Sequence, residues 1–294
     1  MIEVNNLTKS YGVNKGVFDL SFTVNDGEVF GFIGPNGAGK TTTIRQLLGF
    51  VKADAGSCQI MQLDSHRMSA EIQKHLGYLP GEIAFFDHMT GIQFLTLMAN
   101  LRNLKNLEKM QYLIDFFELD ISGKIRKMSK GMKQKVGLVS AFMHDPKILI
   151  LDEPTSGLDP LMQTRFVELI LKEKKEGKTV LMSSHSFEEI ERTCDRAAII
   201  KDGVLVALED INKLKENRRK IFVIKAKNDS DIKKLINSEL EIIVQRGHEL
   251  EIAVSGDIMP LIRILATCEI ESMDVKTMSL EEIFMLYYKK GDIS

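Results

Sequence analysis

Cysteine is scarce: the 294 residues hold three, Cys58, Cys194 and Cys268, and no C-x-x-C pair. So wide a spacing excludes a zinc ribbon, and the thiols read as reduced and buried, as in a cytosolic protein. An excess of one charge is also missing. Lys and Arg number 39 against 41 Asp and Glu, a net charge of −2, so no bulk basic field exists to hold nucleic acid or anionic lipid. No run approaches the roughly 18 apolar residues that span a bilayer. The opening MIEVNNLTKSYG has neither the basic nor the apolar stretch of a secretory leader. The expectation is a soluble protein whose membrane role, if it has one, runs through a partner. Internal repeats and low-complexity segments are absent as well.

What is present suits a large domain followed by a small one, with 44% hydrophobic and 27% charged residues. Short β-type runs come first, at Ile2–Val4, Val17–Val24 and Val29–Ile33, with the turn Asn25-Asp26-Gly27 between the last two. Alternation of Phe18, Leu20, Phe22 and Val24 predicts a half-buried antiparallel strand. A Gly-rich loop leads into a helix from Lys40 to about Leu48, and a strand follows near Ser57–Met61. From about 83 to 141 the apolar positions recur at helical spacing (Ile92, Leu95, Met98, Ala99; Leu113, Phe116, Phe117), with Thr90 as an N-cap. This predicts a helical insert in a β-rich domain.

Strand–helix alternation then resumes. Ile148–Leu151 is wholly apolar, as a parallel strand buried on both faces requires. A helix near Leu161–Glu176, a strand at Thr179–Ser183, a helix near Phe187–Cys194 and a hairpin, Ala197–Ile200 with Val204–Ala207, complete the large domain. Residues 209–219 read as a charged linker or linker helix. The remainder reads Ile221–Ala226, Asp231–Asn237, Glu241–Gln245, Leu250–Val254, Ile258–Ala266, Ile270–Val275 and Leu280–Tyr288. Its first six elements have the split βαβ order of a ferredoxin-like domain.

The string Gly34-Pro35-Asn36-Gly37-Ala38-Gly39-Lys40-Thr41, followed by Thr42, matches the phosphate-binding loop G-x-x-x-x-G-K-[ST]. Glycines let successive N–H groups turn inward round a phosphate, and the helix that follows aims its positive end at the same point. Lys40 brings a mobile charge to the β- and γ-phosphates, and the Thr41 hydroxyl reaches Mg²⁺. A second element is Ile148-Leu149-Ile150-Leu151-Asp152-Glu153. Asp152 at the strand end is placed for the metal, and Glu153 for polarising a water that attacks the γ-phosphate.

With these motifs the sequence resembles the ATP-binding subunits of ATP-binding-cassette transporters, over residues 1 to about 208. Met128-Ser129-Lys130-Gly131-Met132 stands where their LSGGQ signature is expected, Ser156-Gly157-Leu158-Asp159 where their dimer-interface loop is, and Ser184-His185 where their switch histidine is. Tyr11 stands where they stack an aromatic ring on adenine. The resemblance implies a P-loop NTPase core with an antiparallel β-subdomain and helical insert, then the small α+β, ferredoxin-like domain. The nucleotide-binding domain takes residues 1–218 and an accessory, regulatory domain 219–294. It implies Mg·ATP hydrolysis by a head-to-tail dimer of nucleotide-binding subunits, with Ser129 and Gly131 gripping the γ-phosphate held by the partner. His185 bonds the γ-phosphate and attacking water, and Asp159 serves the dimer interface. An integral-membrane permease at the inner face of the cell membrane is the implied partner. Two departures stand out. Lys130 and Met132 replace the usual Gly and Gln, and Gly81 replaces the Gln that follows Pro80 in the family, leaving Glu82 as a substitute ligand or a plain loop acid.

Other residues take no role. His66, His75, His88, His144 and His248 lack metal-ligand spacing. Phe85, Phe86, Met89, Phe94 and Met98 read as core of the insert or as a groove for a coupling helix. Ser279-Leu280-Glu281-Glu282-Ile283-Phe284 resembles the tail of drug- and bacitracin-type exporter ATPases, which points to export of a drug, peptide or lipid-linked compound. RNA binding is disfavoured: Leu250–Val254 lacks stacking aromatics, and residues 219–294 hold eleven Lys and Arg against thirteen Asp and Glu. The rival is a cassette ATPase acting on ribosomes or DNA. Ribosome-type members carry two cassettes in one chain and DNA-repair relatives carry long coiled coils or Cys sets, neither of which occurs here. A sensor without turnover is disfavoured by the presence of both Glu153 and His185.

Overall fold

In a computed structural model, residues 1–13, 15–216, 220–254, 257–277 and 281–282 are described. The chain divides into two compact units, Met1–Ile211 and Asn212–Ser294.

The first unit opens with antiparallel strands β1 (Ile2–Gly12) and β2 (Lys15–Val24), then β3 (Val29–Ile33), helix α1 (Lys40–Leu47), β4 (Ala55–Ile60) and β5 (Leu63–Asp64). Strand β1 runs well past the expected Val4. Beyond the buried Leu7 it is mostly polar and becomes exposed from Ser10, so no apolar alternation marks it, and pairing with β2 and β4 carries it on. Next come α2 (Ser69–His75), β6 (Leu76–Leu79) and the helical insert: α3 (Gly91–Leu101), α4 (Glu108–Phe116) and α5 (Lys130–Phe142). Thr90 caps α3 in a reciprocal capping box with Gln93, as its position ahead of the apolar spacing predicts. The unit continues through β7 (Ile148–Asp152), α6 (Pro160–Lys175), β8 (Thr179–Ser184), α7 (Phe187–Thr193), β9 (Arg196–Lys201) and β10 (Val204–Asp210).

Two sheets result. One is antiparallel, in the order β2-β1-β4-β5; the other runs β10-β9-β3-β8-β7-β6, parallel except for the antiparallel edge strand β10. All residues of β3, β7 and β8 are buried, which is why none of these strands alternates apolar with polar; β8 buries Thr179, Ser183 and Ser184 beside its apolar Val180–Met182. A single core joins the sheets, with Leu20, Phe22 and Ile60 from the first, Phe30, Phe32 and Ile150 from the second, and Ile44 and Leu47 of α1. Phe22 stacks on Phe30 with ring centroids 5.4 Å apart. Helix α8 (Ile211–Glu216) follows, and Ile211 is fully buried with its N–H bonded to the Asp195 carbonyl at 2.8 Å. That anchor lies at the last residue of the first compact unit.

The second unit contains β11 (Lys220–Ala226), α9 (Asp229–Ile236), β12 (Glu241–Arg246), β13 (Glu249–Val254), α10 (Met259–Leu265) and β14 (Ile270–Thr277). Its sheet is antiparallel throughout, in the order β12-β13-β11-β14. Phe222, Ile224, Leu250 and Ile252 pack against Ile232 and Leu235 of α9 and Leu261 of α10. The helix expected at Leu280–Tyr288 lies outside the described residues except for 281 and 282.

Candidate active site

Register aligns the carboxyl ends of the parallel strands: Ile33 of β3 lies beside Ser184 of β8, and Asp152 of β7 beside Ser183. That edge is where loops of an open α/β sheet gather ligands. The loop Gly34–Gly39 leaves β3 here and feeds α1. Gly37 and Gly39 have φ of 84° and 109°, which other residues resist. A Cβ on Gly34 would lie 2.4 Å from the Ile200 carbonyl oxygen, so the loop folds tightly over β9. Ala38 is buried and Asn36 exposed at the mouth, while Thr42 sits half-buried on the first turn. Lys40 is 5% exposed. Its Nζ donates to the carbonyl oxygens of Gly34 at 2.5 Å and Pro35 at 3.3 Å, and lies 3.1 Å from Glu153 Oε1. A buried ammonium demands such partners.

Asp152 is 1% exposed. Its two oxygens accept the Thr41 hydroxyl at 2.8 Å and the Ser183 hydroxyl at 2.5 Å. Glu153 follows with φ of 50°, a left-handed conformation for a non-glycine residue. Its N–H donates to Ser183 Oγ at 3.0 Å, and its Oε2 lies 2.5 Å from His185 Nδ1. A cleft of ≈ 390 Å³ is walled by Asn36, Thr41, Arg45, Tyr78, Pro80, Gly81, Glu82, Asp152, Glu153, Ser156 and His185. Burial, with the Asp152 carboxylate behind it, pushes the Tyr78 phenol up to about 12, so it stays protonated. A buried carboxylate beside a hydroxyl, with only oxygen donors, is the set a hard divalent cation takes. Asp152 and Thr41 therefore fit Mg²⁺.

Gly81 lies against the metal-side carboxylate: a Cβ there would sit 3.2 Å from Asp152 Oδ2. Glu82 is exposed on the cleft wall. Ser129 caps α5, its hydroxyl accepting the Met132 N–H at 3.2 Å, and Asp159 caps α6 by accepting the Met162 N–H at 3.0 Å. Gly131 is pressed on the neighbouring loop, where a Cβ would meet the Gly157 carbonyl oxygen at 2.6 Å. Ser129, Gly131, Asp159 and Tyr11 are not on the cleft wall. Tyr11 is 57% exposed near the end of β1, with Lys9 Nζ 5.9 Å from its ring centre.

Three contributors escaped the sequence reading. Ser183 holds both Asp152 and the Glu153 N–H. Gln134 of α5, 4% exposed, donates to the carbonyl oxygens of Glu153 at 3.3 Å and Pro154 at 2.8 Å. Lys130 Nζ donates to Ser156 Oγ at 2.8 Å. Gln134 left a signal: a polar side chain on the helix face shared with Gly137, Leu138 and Ala141, all of them buried.

A parallel sheet with this phosphate loop, strand-end acid pair and histidine defines an ATP-binding cassette. The ABC transporter family profile matches residues 17–156. The ABC transporter ATP-binding protein YhcH of Bacillus subtilis (strain 168) is 33% identical over 290 residues, 97% of this chain and 95% of its own. This chain belongs to the family of ABC transporter ATP-binding proteins. The bacitracin transport ATP-binding protein BcrA of Bacillus licheniformis is 33% identical over 259 residues, 87% of this chain and 83% of BcrA. The linearmycin resistance ATP-binding protein LnrL of Bacillus subtilis (strain 168) is 34% identical over 213 residues, 71% of this chain and 68% of LnrL. A solved ATP-binding subunit of an ABC transporter superposes with a TM-score of 0.66 at 30% identity, over 73% of this chain and 92% of that one. The dimeric cassette MJ0796 in a post-hydrolysis state with ADP and Pi shares the fold, with a TM-score of 0.66 at 20% identity over 72% and 99% of the two chains.

Proposed function

We propose that this chain hydrolyses Mg·ATP as a head-to-tail dimer and powers a separate membrane permease that exports a drug, peptide or lipid-linked compound. The observation that carries the hydrolytic part is Glu153, placed at the end of β7 between Lys40 at 3.1 Å and His185 at 2.5 Å, on the wall of the cleft. Among the described residues no helix is long and apolar enough to cross a membrane, which suits an engine docked on a permease. Bacitracin transport by BcrA and linearmycin resistance through LnrL support export, with this chain at the inner face of the membrane.

In this reading the loop N–H groups of Gly34–Gly39 and Lys40 bind the β- and γ-phosphates, and Tyr11 stacks on adenine. Thr41 and Asp152 hold Mg²⁺, which when bound neutralises phosphate charge. Glu153 takes a proton from the attacking water, and His185 orients that water and the γ-phosphate. Ser129 and Gly131 close on the γ-phosphate of the partner subunit, with Asp159 at the interface. Residues 1–218 form the nucleotide-binding domain. Residues 219–294 form a regulatory domain, and its strand order supports the ferredoxin-like reading. Glu153→Gln should keep Mg·ATP binding and lose roughly 10²-fold or more of the turnover. Near-wild-type hydrolysis by that variant, measured as phosphate release, would remove Glu153 from the mechanism.

A further inference from the structure

Helix α7 opens with Ser186-Phe187-Glu188-Glu189, the S-x-x-E order in which the glutamate ordinarily reaches back to the N–H of the capping serine. Here the bonds are distributed otherwise. Ser186 Oγ accepts the Glu189 N–H at 3.4 Å, but the Ser186 N–H goes to Ser184 Oγ at 2.9 Å. The Glu189 side chain turns inward instead. Its Oε2 accepts the Ser184 hydroxyl at 2.5 Å and the Thr155 hydroxyl at 3.3 Å. Ser184 directly precedes His185, and Thr155 follows Glu153 and Pro154.

Glu189 is 7% exposed, and its buried Oε1 has no hydrogen-bond partner among the described residues. A cap needs none of this. A helix N-terminus is served as well by an exposed glutamate, whereas a buried carboxyl with one oxygen unmatched costs stability. Burial pushes its pKa up to about 7, against the lowering effect of the two hydroxyls. What the burial achieves is a bridge between two segments that meet nowhere in sequence. The α5 side of the loop after Glu153 is held by Gln134 and Lys130. Glu189 holds its other side, along a groove of ≈ 260 Å³ that Thr155, Ser156 and His185 also line.

We infer that Glu189 is a positioning residue for hydrolysis: one carboxyl oxygen ties the loop beyond Glu153 to the strand end that carries His185, and so fixes the Glu153–His185 pair. This rests on the hydrolytic reading proposed above. Glu189 lines a different groove from the one walled by Thr41 and Asp152, so ATP binding does not depend on it. A displaced pair of this kind lowers the catalytic rate with little change in substrate affinity.

The test compares Glu189→Ala, Glu189→Gln, Thr155→Val and the Thr155→Val/Glu189→Ala double variant in the full chain, each assayed below its unfolding midpoint. Glu189→Ala should lower kcat about 10-fold or more while KM for ATP stays within about twofold. Glu189→Gln, which keeps an oxygen to accept both hydroxyls, should return kcat to within about threefold of wild type. Because the two residues act through one bridge, the double variant should be no slower than Glu189→Ala. A kcat for Glu189→Ala within twofold of wild type, a Gln variant as slow as Ala, or additive losses in the double variant would each overturn the inference. Glu153→Gln is run alongside. If it too keeps wild-type turnover, the hydrolytic reading has failed; if it alone is inactive, only the role of Glu189 has.

Discussion

The ring of His144, just beyond α5, sits with Nε2 3.2 Å from the Leu76 carbonyl oxygen, which can only accept, so Nε2 carries the proton. Its Nδ1 is left buried without a partner. Burial, and then the Arg102 charge, lowers its pKa from 6.5 to about 4. The unfolded chain thus binds a proton here at a higher pH than the folded one, so this stabilisation is present above 6.5 and is lost as pH falls toward 4. Glu189 has the opposite sense. Its folded pKa is raised from 4.5 to about 7, so its neutral form stabilises below 4.5 and the benefit is lost as pH rises through 7. Between these limits the two contributions slope in opposite directions, each changing by on the order of 2 kcal/mol over the range after allowing for solvent screening. Urea unfolding of His144→Asn should show stability falling from pH 5 to 7, and that of Glu189→Gln should show it rising. Slopes of the same sign in both variants would refute the assignment. At this scale Lys40, Thr41, Asp152, Glu153 and His185 were legible as motif residues, and the structure sets the last four on one cleft wall with Lys40 against Glu153. Gln134 and Glu189 were not: Gln134 reaches carbonyls 19 and 20 residues away, Glu189 joins nearby Ser184 to Thr155 34 residues away, and Ser186–Glu189 reads in sequence as an ordinary cap.

Helix α5 carries Lys130 and Met132 where LSGGQ has Gly and Gln, and Ser129 is its N-cap. Its capping hydroxyl satisfies the Met132 N–H, and loss of such a cap costs typically about 1 kcal/mol. Ser129→Ala should therefore lower the unfolding free energy by about that amount. Lys130→Ala removes only an exposed bond to Ser156 and should change it by less than about 0.5 kcal/mol. Equal losses from the two substitutions in urea titrations would mean that the loop contact, not the cap, holds the helix start. Strands β3 and β7 were legible because burial on both faces removes the polar alternation from Val29–Ile33 and Ile148–Leu151, and β8 through its shorter apolar stretch Val180–Met182. Strand β6 was not. Its four residues include Gly77, where a Cβ would meet the Ala141 carbonyl oxygen at 2.2 Å, so the close approach of α5 selects a residue that β-propensity disfavours.

For the whole molecule, element order was readable and sheet order was not, because β3 pairs with β8 and β9, strands roughly 150 or more residues along the chain, through contacts that leave no local mark. The shared-site reading also belongs to this scale. Ser129 and Gly131 stand off the cleft wall that holds Thr41 and Glu153, as a site completed by a second subunit requires. Subunits bearing Ser129→Arg mixed with subunits bearing Lys40→Ala should form dimers with at most one intact site, and each parent alone should be nearly inactive. ATPase activity should reappear on mixing and peak near equal proportions. Its absence in demonstrated mixed dimers would count against a shared site.

The left-handed backbone at Glu153 has an evolutionary consequence. At φ of 50° a glycine would sit more comfortably than any side chain, by roughly 1 kcal/mol. Drift that rewards only a sturdier fold therefore pulls this position toward Gly, and away from the carboxylate that Lys40 and His185 flank. Under the hydrolytic reading proposed above, Glu at this position trades robustness for turnover, and that conflict makes Glu153 the first position at which a thermostabilised descendant of this chain would be at risk of losing its chemistry.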